Sequence, residues 1–229
     1  SWNVTARCNL ACAHCYIDAD GEGSPGELDT AEGMALIDQI AAVGRPILVL
    51  SGGEPLLRPD IFDLARYAAG RGLRVAMGTN GILVTDAVAE RLSDTGIRKV
   101  AVSIDSTDPG VHDAFRGVSG AWEKAVNGIR ALRRAGVPVQ IHTTIGEPDI
   151  GEIDRIIAFG KSHGVRDYQF FFPVPTGRGE DLAGLPPEAH EAVIGRILAH
   201  AREPGLSVRP TCAPQFVRVA ARMGLDLSQ

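Results

Sequence analysis

Ile47-Leu-Val-Leu-Ser-Gly-Gly-Glu-Pro55 decides the fold. Four apolar residues, partly β-branched, predict a strand buried on both faces. Gly52-Gly53 ends it in a turn where no side chain blocks the backbone, and Pro59-Asp60 opens a helix running to about Gly70. This strand, turn and helix form one unit, and the unit repeats on both sides of it. Upstream, Trp2-Asn-Val-Thr5 predicts a first strand. Asp29/Thr30 then caps a helix over 30–43 that Gly44 closes. Downstream, strands are expected at 74–77, 99–104, 138–144 and 167–172. Helices are expected at 85–95, 120–135, 150–163 and 187–202, with a longer excursion between 104 and 120. Leu206-Ser-Val-Arg209 reads as a terminal strand. Alternation of short apolar strands with amphipathic helices argues for an α/β fold around a parallel sheet.

The unusual residues fall at the C-terminal ends of these strands. Cys8-Asn-Leu-Ala-Cys12-Ala-His-Cys15 follows strand one and Ser51-Gly-Gly-Glu-Pro55 follows strand two. Thr79-Asn-Gly81 follows strand three, Ser103 and Asp105 end strand four, and Thr143 and Thr144 end strand five. Pro173-Val-Pro-Thr-Gly-Arg-Gly179 follows strand six. In α/β barrels that end of the sheet carries ligands and catalysis. Six such placements in succession predict a site there.

Composition narrows the classes. The 229 residues are 45% hydrophobic and 22% charged, with a net charge of −5. That is an ordinary balance for a chain with a proper core, and it gives no reason to expect nucleic acid as a partner. No apolar run reaches the length of a membrane span, so no membrane partner is expected. Three cysteines within eight residues suit neither a disulfide framework nor a secreted domain, and a reducing, cytoplasmic location is expected. Ser1 stands one residue before the first strand, and Cys212 has no cysteine after it. The expectation is a longer protein that continues beyond both ends.

Three closely spaced thiols can each take one iron of a cubane cluster and leave the fourth iron open, whereas four cysteines saturate a cluster. A zinc site with His14 as fourth ligand is the alternative, although His14 abuts Cys15 directly. Gly52 and Gly53 would let a ligand approach the backbone. Glu54 suits an ammonium, and Asn80 suits a nucleoside or carboxylate. Arg116 is read either as a bidentate anion clamp or as a surface partner of Asp113. Arg178, between two glycines, is placed for a substrate carboxylate. His142 is read as an interior residue.

Cys8-x3-Cys12-x2-Cys15, Gly52-Gly53-Glu54-Pro55 and the six-unit pattern resemble the radical S-adenosylmethionine (SAM) enzymes over essentially the whole chain. The resemblance implies an incomplete (β/α)6 barrel in which Cys8, Cys12 and Cys15 hold a 4Fe–4S cluster and SAM chelates the open iron. It further implies that Gly52, Gly53 and Glu54 contact the methionine amino group. Asn80, Ser103 and Thr143 would be further cofactor contacts, and His14 would stand beside the adenine. Reduced cluster would cleave SAM to a 5′-deoxyadenosyl radical that takes hydrogen from a substrate.

Arg7-to-Tyr16, Val174-to-Gly179 and Pro210-Thr-Cys-Ala-Pro214 resemble the group with C-terminal auxiliary clusters, and within it the haem-synthesis branch. That implies residues 1–203 as the barrel and 204–229 as the start of a SPASM- or twitch-like segment. Cys212 would be a ligand of a second 4Fe–4S cluster. The implied substrate is a porphyrin, with decarboxylation of iron-coproporphyrin III propionates to give haem b. A haem d1 precursor or a ribosomally made peptide is the alternative. Arg116 and Arg178 would bind propionates, Phe170, Phe171, Phe172 and Val174 would bed the macrocycle, and an unidentified donor would supply electrons.

Overall fold

The computed structural model describes residues 1–145, 150–180, 182 and 185–225. Among these, seven parallel strands lie in one sheet in chain order. They are β1 (Trp2–Asn3), β2 (Ile47–Ser51), β3 (Arg74–Thr79), β4 (Lys99–Ser103), β5 (Val139–Thr144), β6 (Asp167–Phe171) and β7 (Ser207–Thr211). The helices between them are α1 (Thr30–Val43), α2 (Ile61–Gly70), α3 (Asp86–Ser93), α4 (Pro109–Arg116), α5 (Ala121–Arg134), α6 (Ile150–Ser162) and α7 (Pro187–His200). A last helix, α8 (Phe216–Arg222), follows β7. Sequential parallel order is the product of crossover helices of one hand. The two ends of the sheet do not meet, so the barrel is incomplete.

The local chemistry places these boundaries. Asp29 caps α1 through the Glu32 amide, and the Glu32 side chain answers to the Asp29 amide, a complete capping box. Thr85 caps α3 through the Val88 amide.

Strand residues alternate sharply between two environments. Leu48, Leu50, Val75, Met77, Val100, Val102, Ile141, Tyr168 and Phe170 are buried in one core with Ile37, Leu64, Ile129 and Ile157 of the helices. Fully burying one such Leu, Ile or Met contributes roughly 1.5–3 kcal/mol. The other face lines the barrel interior and is polar, with Ser103, His142 and Gln169 only half-buried. Lys99 pairs with Asp167 across it at 3.1 Å. The expected burial of 47–50 on both faces is corrected here. Ile47 is 54% exposed and Val49 half-buried, because the open barrel gives its inner face no second apolar layer.

Two helices are additions to the sequence pattern. The excursion after β4 contains α4, started by Asp108, whose carboxylate accepts from the amides of Gly110 and Val111. Its buried residues are His112 and Arg116, so its inward face carries no apolar stripe to recognise. The other is α8, packed against α7. The terminal strand is β7, which pairs with β6 as Phe170↔Pro210 and Phe171↔Thr211. The boundary expected at 203/204 falls between α7 and β7, with β7 continuing the sheet beyond it, and residues 226–229 of that segment lie outside the described residues.

Candidate active site

The cysteine loop is shaped by what holds it. Cys8 donates its amide to Asp20 O at 2.5 Å, while Ala11 and Ala13 donate to Arg116 O and Phe115 O at 3.2 and 3.0 Å. The C-terminal carbonyls of α4 thus brace the middle of the loop. Gly117, which ends that helix at φ +72°, sits where a Cβ would come within 2.6 Å of Ala11 O. From the other side, Arg178 donates through Nε to Cys12 O at 3.0 Å and through Nη1 to Ala19 O at 2.9 Å. The Arg178 amide itself reaches Cys15 O at 3.0 Å.

Gly52 and Gly53 answer a close approach, but the approaching backbone belongs to the chain itself. A Cβ on Gly52 would stand 2.2 Å from Thr5 O and one on Gly53 2.3 Å from Arg7 O. Gly53 N donates to Thr5 O and Glu54 N to Arg7 O, at 2.8 and 2.7 Å. The Gly-Gly turn is therefore welded to the segment that leads into the cysteines.

One cavity is lined by Cys8, Cys12, His14, Cys15, Ser51, Gly52, Gly53, Thr79, Asn80, Ser103, Arg116, His142 and Arg178. It gathers residues from the ends of β2, β3, β4 and β5. Asn80 Nδ2 donates to Asn9 Oδ1 at 2.7 Å, tying β3 to the cysteine loop. Glu54 lies behind the wall. Its carboxylate is fully buried and accepts from Thr79 Oγ1, the Asn80 amide and the Leu56 amide. Burial pushes its pKa up to about 7, against those three hydrogen bonds. Glu54 thus orients Thr79 and Asn80, and it has its own partners in place of the expected ammonium.

Three other expectations are corrected. Thr143 follows inward-facing His142 by one residue, so it points to the outer face, where its hydroxyl donates to Ile104 O at 2.6 Å. Phe170 is likewise on the outer face and Phe172 stacks on His190. Val174 is exposed, so these residues and Phe171 do not form one bed. Arg116 does clamp a carboxylate bidentately, but the carboxylate is Asp105, at 2.5 and 2.9 Å. Asp113 instead accepts from the amides of Gly120 and Trp122. Arg178, expected on a substrate, spends two donors on the loop; Nη2 has no protein partner among the described residues.

The donor chemistry around the sulfurs suits an iron–sulfur cluster. Each thiol has a chain donor aimed at it. The Leu10 amide points at Cys8, Arg116 Nη1 lies 3.7 Å from Cys12 Sγ, and the Ala19 amide lies 3.4 Å from Cys15 Sγ. Such donors favour thiolates, the form that binds metal. Burial holds the thiol pKa values of Cys8 and Cys12 up, and Arg116 opposes this at Cys12. Among the described residues no three His, Cys, Asp or Glu side chains converge on one point. All three cysteines line the one cavity. His14 stacks on Phe115 with centroids 4.2 Å apart, which does not favour the zinc alternative. Its Nδ1 is buried without a partner among the described residues, and burial lowers the ring pKa to about 4, which favours the neutral imidazole. Cys212 is exposed just beyond β7, at φ +59°.

Comparison with known proteins agrees with this geometry. The sequence profile described as the radical SAM superfamily matches residues 2–160. The AdoMet-dependent heme synthase of Methanosarcina barkeri is 40% identical over 232 residues, covering 100% of this chain and 66% of that protein. The pre-heme d1 synthase of Dinoroseobacter shibae is 38% identical, over 80% of this chain and 45% of that protein. The chain thus spans less than two thirds of the length of either. Streptococcus suis SuiB bound to S-adenosylmethionine superposes with a TM-score of 0.76 at 15% identity. That match covers 90% of this chain and 48% of SuiB, and shows the fold.

Proposed function

The chain belongs to the radical SAM superfamily, and from that premise we propose that it modifies a haem precursor, decarboxylating the propionates of iron-coproporphyrin III. The observation that carries this reading is the 40% identity to the AdoMet-dependent heme synthase along the whole chain. The 38% identity to the pre-heme d1 synthase supports a haem d1 precursor as the second substrate to test.

The family implies a 4Fe–4S cluster and SAM. When bound, these supply a 5′-deoxyadenosyl radical able to take a hydrogen atom from a substrate carbon. The chain's own work is to hold and aim. Cys8, Cys12 and Cys15 would take three irons of the cluster. The amides of Gly53 and Glu54 are already given to Thr5 O and Arg7 O, so the turn offers its carbonyl oxygens, which suit the ammonium of SAM. Asn80 and Ser103 line the same cavity and are assigned to the methionine carboxylate or ribose. His14, with its unpaired Nδ1, is assigned to the adenine side. Glu54 fixes Thr79 and Asn80 from behind, and Arg178 keeps Nη2 for a substrate carboxylate. Cys212 is the candidate ligand of a second, auxiliary cluster. A one-electron donor and a reducing, cytoplasmic compartment belong to the same proposal. Among the described residues no helix is long and apolar enough to cross a membrane.

The test is mass spectrometry of porphyrins after anaerobic incubation of the reconstituted protein with SAM, reductant and iron-coproporphyrin III. Stepwise loss of two carboxyl groups coupled to 5′-deoxyadenosine is expected. Deoxyadenosine without any porphyrin change would refute this substrate and direct the search to haem d1 precursors and peptides.

A further inference from the structure

The donors on the three sulfurs are not equivalent. Leu10 and Ala19 offer neutral amides, whereas Arg116 offers a full positive charge, 3.7 Å from Cys12 Sγ. Its side chain is 9% exposed and that of Asp105 is 4% exposed, so solvent screens the charge little. The guanidinium cannot swing away. Nε and Nη2 are held by Asp105 Oδ2 and Oδ1, and Asp105 is fixed in turn by the Thr144 amide at 3.0 Å. His112 Nδ1 accepts the Asp105 amide at 3.2 Å. Of the guanidinium nitrogens, Nη1 is left for the sulfur. The arrangement is a buried ion pair whose positive end faces the cluster loop.

We propose that Arg116, locked in place by Asp105, sets the reduction potential of the cluster by donating a charged hydrogen bond to the Cys12 thiolate. The inference rests on the cluster reading given above and deepens it. The step concerned takes one electron from a low-potential donor, and no bond is made or broken. The reduced cluster carries one more negative charge, so a fixed cation and donor at a ligand sulfur stabilise it and raise the potential. Asp105 tempers this, because its charge leaves the pair neutral as a whole. Removing either partner must therefore move the potential in opposite directions.

The experiment is an EPR-monitored dithionite titration of the anaerobically reconstituted protein, with iron content measured alongside. Arg116→Gln is expected to make the midpoint more negative, since the cation is gone and Asp105 remains. Asp105→Asn is expected to make it less negative, since the cation is now uncompensated. Shifts of the same sign, or none, in cluster-loaded variants overturn the inference. If Arg116→Gln does not retain iron, Asp105→Asn decides alone, because mere loosening of the loop gives no reason for a positive shift. A wild-type protein that takes up iron without a reduced-cluster signal would sink the cluster reading, and this inference with it.

Discussion

Thr79 Oγ1 donates to both oxygens of Glu54, at 2.8 and 3.0 Å, and the carboxylate it binds is shut off from water. The pair sits directly behind the cavity, so its protonation bears on stability more than on chemistry. The Glu54 pKa is raised to about 7 by burial, partly offset by its hydrogen bonds. An unfolded Glu titrates near 4.3. Between about pH 4.3 and 7 the folded state therefore holds the proton more tightly, and stability falls as pH rises through that window. The loss is on the order of 3 kcal/mol. In Glu54→Gln that descent is expected to vanish. Gln also turns an NH2 group toward an amide donor, Leu56 or Asn80, which costs about 1–3 kcal/mol at pH 5. Urea midpoints of both proteins across pH 5–8 check this, and equal slopes would refute it.

Gly53→Ala should separate the Gly-Gly turn from the cysteine loop. The new Cβ would fall 2.3 Å from Arg7 O and 2.8 Å from Ala6 O, both backbone atoms that cannot rotate aside. Overpacking against backbone belongs at the top of the ~1–3 kcal/mol range or beyond it. Because Arg7 immediately precedes Cys8, iron retained per chain after reconstitution is expected to drop severalfold. Full iron loading with unchanged stability would show that the turn gives way.

Gly160→Ala pits propensity against packing at a place remote from the site. Ala favours a helix interior over Gly by about 1 kcal/mol. Here the Cβ would lie 2.3 Å from Tyr168 Oη, whose hydroxyl is held against Ile157 O and Val165 O. Packing wins, so the variant is expected to melt lower by several degrees. A higher melting temperature would show that Tyr168 can shift at little cost.

The barrel is readable from the sequence because its signals are local. Asp29 and Thr30 open α1 and Gly44 closes it, and short apolar runs mark the strands, although not which face of each is buried. Placing the odd residues at strand ends then gathers Cys8, Gly52, Asn80 and Ser103 into one cavity. What the sequence hides is long-range or polar. Arg116 is 104 residues from Cys12 and Arg178 is 166 from it, and no spacing rule connects them. The helix α4 buries His112 and Arg116 in place of an apolar stripe. Thr143 shows the opposite hazard, since one step along a strand moves a side chain to the other face of the sheet.

Arg178 has two assignments that a pair of variants can separate. Its Nε and Nη1 hold Cys12 O and Ala19 O, while Nη2 is the atom proposed for a substrate carboxylate. Arg178→Ala removes both functions. The expectation is faster amide hydrogen exchange over residues 12–19, by about thirtyfold if the two lost hydrogen bonds together contribute ~2 kcal/mol, together with quicker loss of iron to a chelator. Arg178→Lys keeps the charge but lacks the fork that spans two carbonyls. It should lose the loop protection yet retain most of the affinity for a carboxylate substrate. If the Ala variant exchanges and holds iron as wild type does, the strap contributes nothing. If Lys instead raises KM as much as Ala does, recognition of the substrate depends on guanidinium geometry rather than on charge.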